Sequence, residues 1–250
     1  LAIQNKLYVS SEFNGLILRY AEVKVMTTTA FGSSIKRKED PRLITGQGKY
    51  VEDISLIGML HMVLVRSPFA HAKIKSIDTS AAEKLPGVVT VFSGKDLEEE
   101  LGSLPCGWVV PDTKEVPHPP LAVDTVRYVG DAVLAIIGQS LAIASDAASL
   151  IEVEYEELDS VIDMEEAVKD GAIQLHPDAP NNISFEWEVD AGSVQEARNS
   201  SDVSVSQRFI NQRLIPTAME NRGVVVDYAP GTDQITMWTS TQIPHLVRVL

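Results

Sequence analysis

The side chains able to do chemistry are few and scattered. Five histidines, His61, His71, His118, His176 and His245, stand far apart. None has a partner at i+2 or i+4, the spacings that put two imidazoles on one face of a strand or helix, so a metal site made from them needs long-range convergence. Each reads as a surface or packed histidine. The clusters Glu98-Glu99-Glu100, Glu156-Glu157 and Glu165-Glu166 carry carboxylates enough for acid–base work. A catalytic carboxyl needs burial or a close partner to move its pKa, however, and such runs read as solvated faces. Gly46-Gln47-Gly48 lacks the remaining glycine of a dinucleotide fingerprint, Gly94-Lys95-Asp96 lacks the hydroxyl residue of a phosphate loop, and no Gly-x-Ser-x-Gly occurs. The single cysteine, Cys106, excludes an internal disulfide, and an iron–sulfur cluster or four-thiolate zinc site built from this chain alone.

Whatever chemistry exists must be positioned by alternating strands and helices. Gly58–Arg66 reads as a strand closed by Ser67-Pro68. Ala72–Asp78 follows, then a short helix from Thr79 or Ser80 to Lys84, ended by Pro86-Gly87. Val88–Phe92 is β-branched and strand-like, and Gly94–Leu101 reads as a short acidic helix. Gly102–Pro120, with prolines at 105, 111, 117, 119 and 120, is an irregular loop, because proline cannot donate to a ladder. Val126–Ile137 is an apolar strand region interrupted at Gly130-Asp131, and Ser140 caps an alanine-rich helix over Leu141–Leu150. Ile151–Glu156 alternates at period two, with Ile151, Val153 and Tyr155 on one face and three glutamates on the other. Strand, helix and strand joined by a right-handed crossover is the expected arrangement. A short helix over Asp163–Val168 and a linker over Gly171–Asn182 lead to four expected strands, Ile183–Val189, Val203–Phe209, Arg222–Tyr228 and Gln234–Thr239.

The formal net charge is −14, and 15 of the 35 acidic residues fall between Asp146 and Ser200 against only 2 of the 21 basic ones. Such a surface repels phosphate backbones, which argues against nucleic-acid binding as the main function. The longest clear apolar run, Ala132–Ile137, is far short of the roughly 18 residues of a membrane span. One cysteine and no secretory leader fit a reducing, cytoplasmic setting. Residues 1–25 lack a sustained period and precede Met26, so they read as an upstream extension from translation or cloning. The apolar stretch ending at Leu250 reads as a protein cut short.

Three longer strings carry more. They are Gly46-Gln47-Gly48-Lys49-Tyr50-Val51-Glu52-Asp53, with Gly58-Met59-Leu60-His61 and Arg66-Ser67-Pro68-Phe69-Ala70-His71-Ala72 following; Arg127-Tyr128-Val129-Gly130-Asp131-Ala132-Val133; and Pro216-Thr217-Ala218-Met219-Glu220-Asn221-Arg222-Gly223, followed by Trp238-Thr239-Ser240-Thr241-Gln242-Ile243-Pro244-His245. In this order and spacing the chain from about residue 32 to 250 resembles the large subunit of molybdenum hydroxylases, the xanthine dehydrogenase, aldehyde oxidase and aerobic carbon monoxide dehydrogenase family. The carbon monoxide dehydrogenase-like chains resemble it most.

The resemblance implies an α+β chain: an N-terminal arm (1–43), an α/β hammerhead domain (44–160), an acidic linker (161–200) and the start of a β-rich molybdopterin-binding domain (201–250). It implies molybdopterin, as such or as its cytosine dinucleotide, carrying molybdenum. It further implies an Fe-S small subunit and an FAD-binding medium subunit, in a dimer of heterotrimers. The activity implied is oxidation of carbon monoxide, an aldehyde or an N-heterocycle with water as the oxygen source. By residue type alone Gln242 is an exposed glutamine at a helix start. The resemblance places it beside the molybdenum, where an uncharged amide NH₂ can donate to an oxo ligand. Glu220 and Arg222 are expected to pair or to anchor the β-rich region, and Gly130-Asp131 to form a turn. The family's glycine-rich loop and general-base glutamate fall beyond Leu250, so the 250-residue chain is expected to bind little cofactor and turn nothing over. The competing reading is a non-catalytic hammerhead scaffold or subunit-interaction module.

Overall fold

The computed structural model describes residues 32–249 apart from Cys106, Trp108 and Asp190. The 1–25 extension and Cys106 lie outside the described residues. A short helix α1 (Asp40–Ile44) and a 3-10 turn at Val51–Asp53 precede β1 (His61–Arg66), β2 (Ala72–Asp78), α2 (Ser80–Glu83), β3 (Val88–Ser93) and α3 (Gly94–Leu97). The irregular proline-bearing segment then leads to β4 (Thr125–Val126), β5 (Ala132–Gly138), α4 (Leu141–Ala148), β6 (Glu152–Glu157) and α5 (Met164–Ala167). A 3-10 turn at Pro180–Asn182 is followed by α6 (Val194–Ser200), β7 (Val224–Ala229), β8 (Gln234–Thr239) and α7 (Pro244–Val247). The whole is α+β, as the sequence implies.

β5 is the keystone. Its residues Ala132-Val133-Leu134-Ala135-Ile136 are all buried, and it lies between β1 and β3 in a three-stranded sheet, antiparallel to both. A continuous apolar run bounded by turn signals suits a strand covered on both faces. Leu134 and Val133 join Ala72, Ala122 and Val126 in a core lined by Phe69, Val153 and Tyr155, where the first sheet meets a second of order β4-β2-β6. Ile136 packs with Ala82, Ala144 and Ala147 beneath α2 and α4. The approach of α4 is close: a Cβ on Gly138 would lie 3.0 Å from the Ala144 nitrogen. At Gly87, φ is +93°, a conformation that side-chain-bearing residues rarely adopt, so the backbone demands glycine; a Cβ would also meet Ile143 Cδ1, the end of a side chain able to shift, at 2.7 Å. Ser140 Oγ accepts the Ile143 N–H at 3.2 Å, the cap expected for α4.

The expected crossover between β5 and β6 does not form. Among the described residues all strand pairs are antiparallel, and α4 carries the chain from one sheet to the other. β5 already has a partner on each edge, so β6 pairs with the open edge of β2, setting Ile74 against Tyr155 and Lys73 against Glu156. The wet glutamate face of β6 thereby meets lysines, and Lys75 Nζ lies 2.8 Å from Glu156. The interruption at Gly130-Asp131 is a turn held by Ser67: its N–H donates to the Asp131 carbonyl and its carbonyl accepts the Gly130 N–H, both at 2.8 Å.

Further corrections concern the second half. The strands expected at 183–189 and 203–209 are irregular, and the acidic helix from Gly94 ends at Leu97. Phe185, Val205 and Phe209 alternate as strand residues do, but they are 52%, 83% and 81% exposed, with no neighbouring strand among the described residues to complete a ladder. Alternation specifies a face, and without a partner the face has nothing to cover it. Among the described residues, Ala179 is the last buried hydrophobic side chain.

Candidate functional site

The third string folds into one unit. Val224–Ala229 opens on three β-branched valines, Gln234–Thr239 carries Ile235 and Trp238, and the two pair as an antiparallel hairpin, Val224 opposite Thr239 and Ala229 opposite Gln234. The connecting turn passes through Asp233 at φ 53°, and the Tyr228 hydroxyl donates to Asp233 Oδ1 at 2.9 Å, fixing the closed end.

Ser240 fixes the open end. Its Oγ donates to the Asn221 carbonyl (2.8 Å) and accepts the Gly223 N–H (2.9 Å), while its own N–H donates to the Gly223 carbonyl (3.2 Å). Thr241 Oγ1 then accepts the Ile243 N–H at 3.1 Å, a local turn that leaves Gln242 at its apex. Pro244 starts α7, where its missing N–H costs nothing. Gln242 is exposed, and its amide has no hydrogen-bond partner among the described residues. It is therefore free both to donate and to accept.

Glu220 joins this hairpin to the entry of the first domain. Its Oε1 accepts the Val51 N–H at 3.0 Å, across 169 positions of sequence. Gly223 sits against the same residue: a Cβ there would approach Val51 Cγ1 to 3.3 Å. Of the two roles expected for Glu220 and Arg222, anchoring holds for Glu220. Arg222 is exposed, and no ion pair joins the two. Between the segments lies an open cleft of about 900 Å³, walled by Gly58, Leu60 and Met62 on one side and by Val224, Val226 and Thr241 on the other.

The remaining sequence candidates are dispersed. His71 is packed at 7% exposure, its Nδ1 donating to the Asp159 carbonyl at 2.7 Å. His245 lies on α7, exposed. The described residues hold no group of three or more His, Cys, Asp or Glu side chains able to ligate a metal. Sequence reasoning missed two participants. Ser240 stood inside a quoted string, but its double role needs both hairpin strands in place; Val51 gives no local sign of pairing with a glutamate so far away.

Comparison with known families accounts for these strings. Residues 45–159 match the aldehyde oxidase and xanthine dehydrogenase a/b hammerhead domain, and residues 175–250 match the molybdopterin cofactor-binding domain. Those two domains in succession define a molybdenum hydroxylase large subunit, and the chain belongs to that family. It is 37% identical over 224 residues to the nicotine 6-hydroxylase large subunit of Paenarthrobacter nicotinovorans, covering 90% of this chain and 27% of that one. With the carbon monoxide dehydrogenase large chain of Hydrogenophaga pseudoflava, identity is 32% over 243 residues, covering 92% and 30%. The crystal structure of quinoline 2-oxidoreductase from Pseudomonas putida 86 superposes with a TM-score of 0.79 at 39% identity, covering 87% of this chain and 28% of that chain. The chain thus spans less than a third of the length of these relatives. The similarity to carbon monoxide dehydrogenase, ranked first from the strings, carries less identity than that to the nicotine and quinoline enzymes.

Proposed function

We propose that the chain forms the hammerhead domain and the first cofactor-facing hairpin of a molybdenum-dependent oxidoreductase that hydroxylates its substrate with oxygen from water. The observation that carries this reading is the free amide of Gln242, held at the apex of a turn by Thr241 and Pro244 at the end of a stapled hairpin. A neutral NH₂ donor with no other partner suits an oxygen ligand of the cofactor, which brings its own sulfur donors and asks no metal-ligating cluster of the protein. When bound, the molybdenum cofactor supplies the redox centre that takes two electrons from the substrate carbon. The chain's own residues set geometry: Ser240 closes the hairpin, Glu220 ties it to Val51, and Gln242 donates.

The domain division supporting this reading is 44–160 for the hammerhead, 161–200 for the acidic linker and 201–250 for the start of the cofactor domain. The cofactor-domain match reaches back into that linker, to residue 175. Among carbon monoxide, an aldehyde and an N-heterocycle, we favour the N-heterocycle, since relatives named for nicotine and quinoline share 37% and 39% identity with this chain. As the family resemblance implies, the reading includes an Fe-S small subunit and an FAD-binding medium subunit that carry electrons away from the molybdenum, in a cytoplasmic dimer of heterotrimers. Relatives named as a "large chain" and a "subunit gamma" accord with a multi-subunit assembly.

The test is Gln242→Ala in the complete large subunit, assembled with its partners and assayed on quinoline, benzaldehyde and carbon monoxide. Loss of one preorganised donor to developing charge lowers kcat by about 10²–10³, with a smaller change in KM. An unchanged kcat on every substrate turned over by the parent enzyme would remove Gln242 from the site.

A further inference from the structure

A second concave site lies on the hammerhead side, away from Gln242. The proline-bearing segment, the Arg127–Asp131 turn and the linker around His176 enclose a pocket of about 530 Å³. Its polar lining includes Arg127, Arg213, His118, His176 and Tyr128, with Asp131 as its one carboxylate. That is an inversion of the chain's character. The net charge is −14, and His176 itself belongs to the most acidic stretch, yet this wall is cationic.

Arg127 is oriented rather than mobile. Its Nε donates to the Leu175 carbonyl at 3.0 Å and its Nη1 reaches the Thr125 carbonyl at 3.4 Å. Nη2 keeps no protein partner, and neither Arg127 nor Arg213 forms an ion pair among the described residues. The single carboxylate of the lining is already engaged: Asp131 Oδ2 accepts the Arg127 main-chain N–H at 3.1 Å, and the carboxylate also interacts with the Tyr128 side chain. A half-buried guanidinium aimed by carbonyls and lacking a counter-ion has lost hydration without recovering it from an opposite charge. A planar fork fixed in this way matches an oxyanion.

The surrounding groups add further donors. Burial and the Arg127 guanidinium hold the His176 imidazole below the ordinary histidine range, against the opposing pull of Asp178, which favours its neutral form with one N–H to give. The His118 and Tyr128 rings lie parallel within 5°, their centroids 6.0 Å apart, and form one side of the opening. The volume exceeds what a bare ion fills and falls in the range of small-molecule pockets.

We propose that this pocket binds a small organic oxyanion, a phosphomonoester or a carboxylate, with Arg127 and Arg213 as its charge partners and the His176 N–H as a further donor. The inference does not rest on the role given to Gln242, since none of these residues belongs to that hairpin, although His176 and Arg213 fall within the cofactor-domain match.

Calorimetric titration of the 250-residue chain with inorganic phosphate, phenyl phosphate and benzoate, and with benzyl alcohol as the neutral control, tests it. Saturable binding of phenyl phosphate or benzoate but not of benzyl alcohol is expected, and the tighter of the two identifies phosphate or carboxylate as the source. Arg213→Gln removes an exposed charge with no structural partner and should weaken binding about tenfold. Arg127→Lys keeps the charge but loses the fork, and should weaken it at least as much, with circular dichroism checking that the fold persists. Absence of saturable binding by all three anions, or equal binding by wild type and Arg213→Gln, overturns the assignment.

Discussion

Removing the Glu220 carboxylate should release the start of the hammerhead from the hairpin without melting either. The Val51 N–H donates to Glu220 Oε1 at 3.0 Å in a partly buried setting. A hydrogen bond to a charged acceptor contributes about 1.5–3 kcal/mol, and partial access of water to Val51 argues for the lower end, about 1.5 kcal/mol. That corresponds to roughly a tenfold change in the local opening equilibrium. Amide hydrogen exchange read by NMR therefore should show Val51 exchanging about tenfold faster in Glu220→Ala. Glu220→Gln retains an oxygen acceptor but drops the charge, and a neutral bond of about 0.5–1.5 kcal/mol leaves a loss of only about threefold. Amides of the β1–β5 ladder, such as that of Leu64 opposite Ala135, serve as the internal control and should not change. Equal Val51 protection in wild type and Glu220→Ala would refute the latch. A matching loss in the β1–β5 amides would show a global rather than a local effect.

Three further outcomes follow from the same geometry. Gly94→Ala places a Cβ 2.3 Å from the Ala122 carbonyl oxygen, a backbone atom that cannot swing aside; a loss of about 1–3 kcal/mol is expected in urea unfolding, and an unchanged midpoint would mean that the segment at 121–122 yields freely. Asp163 Oδ1 accepts the N–H groups of Glu165 and Glu166 at 2.7 and 3.2 Å, and these bonds hold its carboxyl below the usual aspartate range. Its contribution to α5 is thus complete above about pH 4 and is lost as pH falls through the depressed folded value; an NMR titration of its carboxyl with a midpoint at or above the ordinary value would contradict this. Metal analysis of the purified 250-residue chain should find molybdenum well below one atom per chain, because the chain covers 27% of its nicotine 6-hydroxylase relative; stoichiometric metal would overturn that expectation.

Sequence legibility followed the range of the interactions. The β5 apolar run, the Ser140 cap of α4 and the glutamate face of β6 depend on neighbours within a few residues, and all three stand where local pattern put them. Partner choice is different in kind. Nothing within Ala132–Gly138 says that β1 and β3 will occupy both of its edges, so the crossover to β6 was a reasonable local inference that long-range pairing overruled. The irregular stretches at 183–189 and 203–209 fail for the same reason, alternation without a ladder. The helix α6 did have a local sign, Ser193 followed three positions later by Glu196, the sequence pattern of a capping box, although the Ser193 side chain makes no cap hydrogen bond in the fold. At the candidate site, the string containing Gln242 was visible, whereas its Ser240 staple, its Glu220–Val51 tie and the meeting of His118 and His176 beside Arg127 exist only once the chain has folded.

The position of β5 also sets a timetable. β1 and β3 flank β5 but do not pair with each other, and both precede it along the chain. During synthesis each emerges with its hydrogen-bonding edges unmated and waits for a strand that comes later. From the end of β3 to the end of β5 is about 45 residues, roughly 2–9 s at ribosomal speeds. For that interval the segment Val88–Phe92, β-branched and uncharged, is exposed to any other nascent chain that offers an edge. Pausing within the proline-bearing segment lengthens the exposure, whereas β5, arriving once, satisfies two edges together. In this hammerhead, both edges are mated only after Gly138 has cleared the ribosome.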